Sequence, residues 1–199
     1  MDSDSRQSWE GFLEPEAMRS RLIAAAIYVA GFEILKNTFV DRIRDFFRTG
    51  FDESGDRIDP EYQSDVLARR KSPVYASLSW LKEMKAISNA DEEVFERVKA
   101  LRNKLAHELL PTIGSGGLPF DFDECFHDMV ALLRKIEVWW IMNVEVTVNP
   151  DYDGIDMDED DVLPGSVMLI QILCDIALGD EERSRYYYEE FRKQSENGR

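Results

Sequence analysis

The stretch DEEVFERVKALRNKLAHEL, residues 91–109, decides the fold class of this 199-residue chain. Its apolar residues recur at intervals of three and four, the spacing that places side chains on one face of a helix. They are Val94, Val98, Leu101, Leu105 and Leu109. Acidic residues at 91–93 favour a helix start and Pro111 favours a stop, so the sequence predicts a helix over 90–110.

The same period continues outward from this helix in both directions. Leu22, Ala26 and Val29 recur at helical spacing and predict a long first helix. By contrast, the run Val144–Val148 is rich in β-branched residues and is expected to be extended. The fold class predicted is all-α: a helical bundle with long first and fifth helices and an acidic loop before the C-terminal helices. The predicted helices cover 18–47, 60–70, 73–87, 90–110, 123–143, 165–178 and a polar segment from 180 onward.

This pattern divides the chain into four segments. Residues 1–17 form a polar N-terminal segment, and 18–145 form the helical bundle. Residues 146–164 form an acidic loop, and 165–199 form C-terminal helices that pack on the bundle.

Charge is distributed unevenly along the chain, whose formal net charge is −16. Residues 69–119 hold nine basic and six acidic side chains, whereas 120–165 hold two basic and 13 acidic ones. An acidic chain is a poor ligand for duplex DNA, which is bound by neutralising its phosphates. The basic segment still offers cations for a short single-stranded nucleic acid.

The two cysteines, Cys125 and Cys174, lie in apolar helical patterns, so a disulfide framework is not expected. The first ten residues, MDSDSRQSWE, have neither the cationic nor the apolar region of a signal peptide. The apolar runs are shorter than the roughly 20 residues that span a bilayer. We therefore predict a cytoplasmic protein with no membrane partner.

Three polar side chains lie together late in the helix over 90–110. Asn103 and His107 are four residues apart and so share one side of the helix, and Arg102 precedes them. The small Ala106 stands between Arg102 and His107 around the helix. This arrangement predicts a second face that a substrate or a partner helix approaches closely.

The sequence Arg102-Asn103-Lys104-Leu105-Ala106-His107 resembles the R-x4-6-H motif of HEPN domains (higher eukaryotes and prokaryotes nucleotide-binding). The resemblance covers residues 18–145. It implies an endoribonuclease of toxin or phage-defence type that uses no metal or other cofactor. It also implies a homodimer in which the motifs of two copies meet, and an antitoxin or other protein partner is possible for such a protein.

The chemistry of RNA cleavage requires the same residue types. Cleavage of RNA by its own 2′-OH needs a proton acceptor and a proton donor, and two copies of His107 can supply both. Arg102 can hold phosphate oxygens while charge develops, and Asn103 can orient His107 or contact a ribose. Single-stranded RNA is the predicted substrate. The predicted substrate-binding residues are Arg69, Arg70, Lys71, Lys99 and Lys104.

Other interpretations stay open at this point. His107 near a helix C-terminus can simply offset the helix dipole, and Arg102 can form a structural ion pair with Glu33 or Asp41. At the level of function, the alternatives are a catalytically inactive HEPN module that binds RNA, a nucleotide or a protein, and an acidic helical scaffold. The other histidine, His127, is expected to be a residue at the edge of the core.

The acidic segment 149–160 partly matches a calcium-binding EF-hand loop. Asn149, Asp151 and Asp153 stand at ligand positions, but Asp160 replaces the usual Glu at the last one. A solvated acidic loop is the expected structure. Calcium binding, or folding of the loop over the basic segment as a mimic of RNA, are the alternatives.

Overall fold

A single long helix organises the structure, a computed structural model that describes residues 9, 12–53, 55–114, 117–152 and 157–197. This helix, α1 (Pro15–Phe46), contacts most of the other long helices. The remaining helices are α2 (Pro73–Glu83), α3 (Asn89–His107), α4 (Leu109–Gly114), α5 (Phe122–Trp140), α6 (Val146–Val148), α7 (Gly165–Leu178) and α8 (Glu181–Asn197).

The described residues are mostly helical, so the all-α fold class is confirmed. One short antiparallel hairpin, β1 (Arg48–Asp52) and β2 (Gly55–Ile58), lies where only a break in the helices was predicted. The helix predicted over 60–70 is a π-helical turn, Tyr62–Val66, followed by a 3-10 turn, Leu67–Arg69.

Helix α1 begins three residues earlier than predicted because Glu14 caps it. The Glu14 carboxylate accepts a hydrogen bond from the backbone N–H of Ala17 at 2.5 Å, and Pro15 occupies the first helical position. The predicted apolar face is wrong in the first half of the helix. Leu22 and Ala26 are exposed, and the buried side chains there include Ala25 and Tyr28.

The core lies where α3 and α5 pack on α1. The Tyr28 hydroxyl donates to the backbone carbonyl of Val98 at 3.1 Å, which joins α1 to α3. Burial raises the pKa of this hydroxyl far above its ordinary value, with neighbouring Cys125 and Asp121 adding to the effect. Met129 of α5 packs against Gly31, where an added Cβ would lie 2.7 Å from the Met129 Cε atom. A side chain at position 31 would therefore require the flexible end of Met129 to move.

Helix α5 does not lead into an extended segment, so the prediction for Val144–Val148 is wrong. A π-helical turn, Ile141–Glu145, and α6 continue the helix to Val148. The Asn143 amide donates to the Trp139 carbonyl at 2.8 Å, and the Thr147 hydroxyl donates to the Val144 carbonyl at 2.9 Å. These side chains satisfy backbone carbonyls at the helix end, which offsets the weak helix propensity of the β-branched residues.

Helix α7 is attached to the bundle at its first turn. The Glu137 carboxylate of α5, which is almost fully buried, accepts hydrogen bonds from Ser166 at 3.0 Å and from Thr38 at 3.4 Å. Arg42 of α1 pairs with the same carboxylate. This shared acceptor fixes α1, α5 and the start of α7 relative to one another.

The acidic segment between α6 and α7 falls partly outside the described residues, since 153–156 are not among them. Its described part folds back on α5, where Arg134 donates to the carbonyl of Glu159 at 2.9 Å. No group of three metal-binding side chains occurs in the described residues, and Asp153, one of the positions of the calcium alternative, lies outside them.

By length and composition alone, α1 is also the one helix in the described ranges that is long and apolar enough to cross a membrane. Buried core helices of globular proteins pass the same test, and α1 contributes Leu35, Phe39 and Ile43 to the core. The cytoplasmic location therefore stays a prediction.

Candidate functional site at the end of α3

Helix α3 is fixed firmly at its start. Ser88 and Asp91 form a capping box, in which the Ser88 backbone N–H donates to Asp91 at 2.6 Å. Lys135 of α5 pairs with Asp91 at 2.6 Å, and Lys82 of α2 pairs with Glu92 at 2.6 Å. The start of α3 is thereby joined to two neighbouring helices.

The end of α3 comes earlier than the predicted residue 110. The helix ends at His107, and Glu108 leaves the helical conformation while its N–H still donates to the Lys104 carbonyl at 2.8 Å. Pro111 lies in the first turn of α4, a position that tolerates proline. His107 is therefore the last residue of its helix and lies beside a change of chain direction.

The buried face of α3 is wider than the predicted stripe. Phe95 was not predicted to be in the core, yet it is fully buried and stacks on Phe32 with ring centroids 5.7 Å apart. It also contacts Phe39 and Tyr75 edge-on. A helix that packs against neighbours on more than one side buries a broader arc than an amphipathic surface helix, which explains the omission.

Arg102 lies half-buried on the side of α3 that faces α1. Its Nη2 atom donates to Glu33 at 2.5 Å, and its guanidinium lies over the Phe32 ring, 5.5 Å from the centroid. The Nη1 atom makes a longer contact of 3.3 Å with the Asn103 side-chain oxygen. Of the two predicted acidic partners, Glu33 is the one that the structure uses.

Glu33 is held in its ionised form. Its carboxylate accepts a hydrogen bond from Lys36, one turn along α1, as well as from Arg102. The Lys36 hydrogen bond lowers the pKa of Glu33 most, partial burial opposes it, and Arg102 reinforces the lowering. The result is a charged cluster of Lys36, Glu33 and Arg102 that spans α1 and α3.

Asn103 and His107 are both exposed. Because they are four residues apart, they lie about 6 Å apart along the helix axis. The Asn103 side chain contacts Arg102 and not His107. Within the described ranges, His107 has no hydrogen-bond or ion-pair partner, so its imidazole is open to solvent.

The five predicted substrate-binding cations do not form one cluster. Lys99 donates to the Tyr75 hydroxyl near the start of α2, whereas Arg69 pairs with Glu83 at the end of α2. Tyr75 and Glu83 are eight residues apart, which corresponds to about 12 Å along the helix. The structure therefore places Arg69 away from Lys99 and Arg102.

The remaining three cations are exposed. Lys104 lies in the last turn of α3 beside His107, and Arg70 and Lys71 lie in the turn before α2. None of the three forms an ion pair with a described residue. They remain available to a ligand.

The other reactive side chains lie elsewhere. His127 is exposed on α5, and Cys125 and Cys174 are free thiols whose pKa is raised by burial. An apolar cavity of about 310 Å³ lies between α1, α5 and α7, with Phe122, Phe126 and Cys174 in its wall. It contains none of the predicted catalytic residues.

No protein-family model, curated protein or solved structure matches this chain. The likeness to HEPN domains therefore rests on the motif from Arg102 to His107 and on its helical context. What the site can do chemically follows from the side chains themselves: a fixed guanidinium, an open imidazole and the unpaired Lys104 in the last turn of the same helix.

Proposed function

We propose that this protein is a metal-independent endoribonuclease, of the toxin or defence type found among HEPN proteins, whose site is completed by a second copy of the chain. The observation that carries the proposal is the placement of Arg102 and His107. Arg102 is partly exposed and His107 is exposed near the end of α3, about 140° apart around the helix axis, and Glu33 and Phe32 already hold the guanidinium in place.

The reaction is transfer of a phosphodiester to the neighbouring ribose oxygen. The RNA 2′-oxygen bonds to phosphorus and gives its proton to one neutral His107. The bond from phosphorus to the 5′-oxygen breaks, and the other copy of His107, protonated, gives a proton to that leaving oxygen. The products are a 2′,3′-cyclic phosphate and a free 5′-hydroxyl.

Two copies are needed because one imidazole cannot be base and acid at once. A twofold arrangement supplies two imidazoles, one to accept the proton of the 2′-OH and one to donate a proton to the leaving oxygen. Each α3 ends at its histidine, so two such helix ends can approach one phosphate from opposite sides.

Arg102 stabilises the charge that develops on the phosphate oxygens. Its Nη2 atom is engaged by Glu33, while Nη1 makes only the 3.3 Å contact with Asn103. Nη1 is therefore the donor more readily offered to a phosphate, and Asn103 is released to contact a ribose hydroxyl. Lys104 and Lys99 lie on the same helix and attract the RNA backbone.

The test is cleavage of a single-stranded RNA in the presence of EDTA, with the ends of the products identified. The wild type is expected to leave cyclic phosphate ends. His107→Ala is expected to lose about 100-fold to 10,000-fold in rate. His127→Ala is the matched control, since His127 is the other histidine and is also exposed.

Two outcomes would contradict the proposal. RNA binding without cleavage by the wild type would indicate an inactive module, and equal loss in both histidine variants would remove the role of His107. Toxicity of the wild type on expression, relieved by Arg102→Ala, would support the toxin or defence assignment.

A further inference from the structure

One lysine of α3 is held in place without being neutralised. The Lys99 ammonium donates to the Tyr75 hydroxyl and lies 4.7 Å from the centroid of the Tyr75 ring. Glu96 lies three residues earlier on the same helix, a spacing that allows an ion pair, yet no carboxylate of the described chain pairs with Lys99. The positive charge of Lys99 is therefore positioned but not compensated.

This arrangement differs from that of comparable lysines nearby. The chain has 40 acidic and 24 basic residues, and the half-buried Lys36 and Lys82 each have a carboxylate partner, Glu33 and Glu92. Lys99 has a neutral partner instead. Because its side chain is already ordered, an anion that binds it meets a smaller entropic cost than at a free surface lysine.

Lys99 lies directly beside the proposed catalytic arginine. Lys99 and Arg102 are three residues apart on α3, which places their Cβ atoms about 5–6 Å apart. We propose that Tyr75 and Lys99 form a second phosphate site, the Tyr75–Lys99 subsite, which binds the RNA phosphate next to the one that is cleaved. This inference rests on the proposed function, in which Arg102 and His107 determine the phosphate that is cleaved. The substrate is thereby narrowed to single-stranded RNA with at least two successive phosphates.

Both groups of the subsite keep hydrogen-bond donors for a phosphate. An ammonium has three N–H bonds, and the Lys99 ammonium uses one of them on Tyr75. The Tyr75 hydroxyl accepts this bond and keeps its own O–H to donate. Phe95 of the core contacts the Tyr75 ring edge-on, with centroids 6.4 Å apart, and so supports its position. A phosphate bound here receives one charge-assisted and one neutral hydrogen bond.

Two further cations lie beyond the subsite. Arg70 and Lys71 are exposed in the turn that precedes α2, and neither pairs with a described carboxylate. Lys71 comes four residues before Tyr75, which lies in the first turn of α2. The subsite therefore lies between these cations and Arg102, where an RNA strand that contacts both would pass.

The test compares short substrates that contain a single ribonucleotide, so that only one phosphate can be cleaved. One is a dinucleotide that has this phosphate alone, and two are trinucleotides that carry a second phosphate on its 5′ or its 3′ side. In EDTA, the wild type is expected to cleave one trinucleotide with a kcat/KM about 10-fold to 100-fold above that of the dinucleotide. Lys99→Ala should remove this preference and leave cleavage of the dinucleotide nearly unchanged.

Two other variants sharpen the comparison. Tyr75→Phe keeps the ring and removes the hydroxyl, so it should remove part of the preference, and it provides a second variant if Lys99→Ala fails to fold in thermal melting. Lys82→Ala is the matched control, since Lys82 is also half-buried but is paired with Glu92. It should keep the full preference for the trinucleotide.

Binding can be measured without cleavage. A 2′-O-methyl trinucleotide has no 2′-OH proton and cannot react, and calorimetry at several salt concentrations gives its affinity. Lys99→Ala should weaken binding and make the plot of log Kd against log salt concentration shallower by about 0.7, the contribution of one phosphate contact in a single strand. A lysine that only supports the fold would not change this slope.

The results separate this inference from the nuclease proposal. A trinucleotide preference that survives in Lys99→Ala, or a salt dependence equal to that of the wild type, would overturn the subsite even if RNA is cleaved. Wild type that does not bind the 2′-O-methyl trinucleotide would overturn it as well. Binding that depends on Lys99 but is never followed by cleavage of RNA supports the subsite and contradicts the nuclease.

Discussion

The two ends of α3 are held very differently. At its start, the capping box of Ser88 and Asp91 and the pairs with Lys135 and Lys82 fix the backbone and side chains. At its end, His107 is exposed and has no partner within the described residues. Arg102 lies between these extremes, half-buried and paired with Glu33.

This difference explains how one helix can serve both packing and chemistry. The fixed part determines where the guanidinium lies before any ligand binds, which lowers the reorganisation needed in the transition state. Under the proposed function, the free end leaves the imidazole to be positioned by RNA and by a second copy. The chain on its own thus provides a preorganised half of the proposed site.

Among the substitutions in the fixed part of α3 and in its partners, removal of the Arg102 guanidinium should have the largest effect. Arg102→Ala is expected to lower kcat for RNA cleavage by about 100-fold to 1,000-fold, because the developing phosphate charge loses its donor. Arg102→Lys should recover only part of this loss, since an ammonium lacks the planar fork. Arg97→Ala is the control on the same helix, where Arg97 pairs with Asp128 of α5. Equal losses in Arg97→Ala and Arg102→Ala would contradict a specific role for Arg102.

Release of Arg102 from its partner should have a smaller effect. Glu33→Gln removes the charge that positions the guanidinium, and we expect kcat to fall between about tenfold and 100-fold. KM should change little, because the contact matters most as charge develops. Glu83→Gln, which removes the pair with Arg69, is the matched control. An unchanged kcat in Glu33→Gln would show that Arg102 needs no positioning.

A substitution at the start of α3 should lower the stability of the protein. Asp91→Ala breaks the capping box and the pair with Lys135, which should lower the free energy of unfolding by about 1 kcal/mol. Glu93→Ala, in the same region but exposed, should change it by less than about 0.5 kcal/mol. Chemical denaturation measures both. If the two variants are equally stable, the capping box does not hold α3.

Lowering the pH should have the smallest effect, which is a decrease in the melting temperature. The pKa of Glu33 is lowered, chiefly by Lys36, and that of Asp91 is lowered by Lys135 and Ser88 against the opposing effect of burial. A carboxyl group whose pKa is lowered by folding stabilises the folded protein at any pH above its pKa in the unfolded chain, about 4. This stabilisation is lost as the pH falls through the lowered pKa of the folded state. The melting temperature of the wild type should therefore fall below pH about 4. Glu33→Gln should flatten that fall, and an identical pH dependence would contradict the assignment.

The sequence predicted the features that depend on local spacing. Periodicity located the long helices, and the helix start predicted at residue 73 is confirmed. Periodicity did not predict which of two apolar faces of a helix is buried, because tertiary packing decides this. Leu22 and Ala26 are apolar and correctly spaced for a core face, yet α1 turns its adjacent face inward and leaves them exposed.

For the site, the motif located the residues but not their surroundings. The pair between Arg102 and Glu33 joins residues 69 positions apart, and only the packing of α1 on α3 selects Glu33 over Asp41. Orienting His107 was one of the roles predicted for Asn103, whereas its side chain contacts Arg102. A helix fixes which residues share a side, but it does not determine which neighbour each side chain chooses.

A mixing experiment tests the shared site most directly. Wild type is allowed to exchange subunits with an equal amount of His107→Ala, and the cleavage rate of single-stranded RNA is measured in EDTA. If the reaction needs His107 from both copies, only dimers of two wild-type chains are active, and these are about one quarter of the dimers after exchange. The rate should then be about one quarter of the rate of wild type alone at the same total protein concentration. A rate of about one half, the value expected when each copy acts alone, would contradict the account.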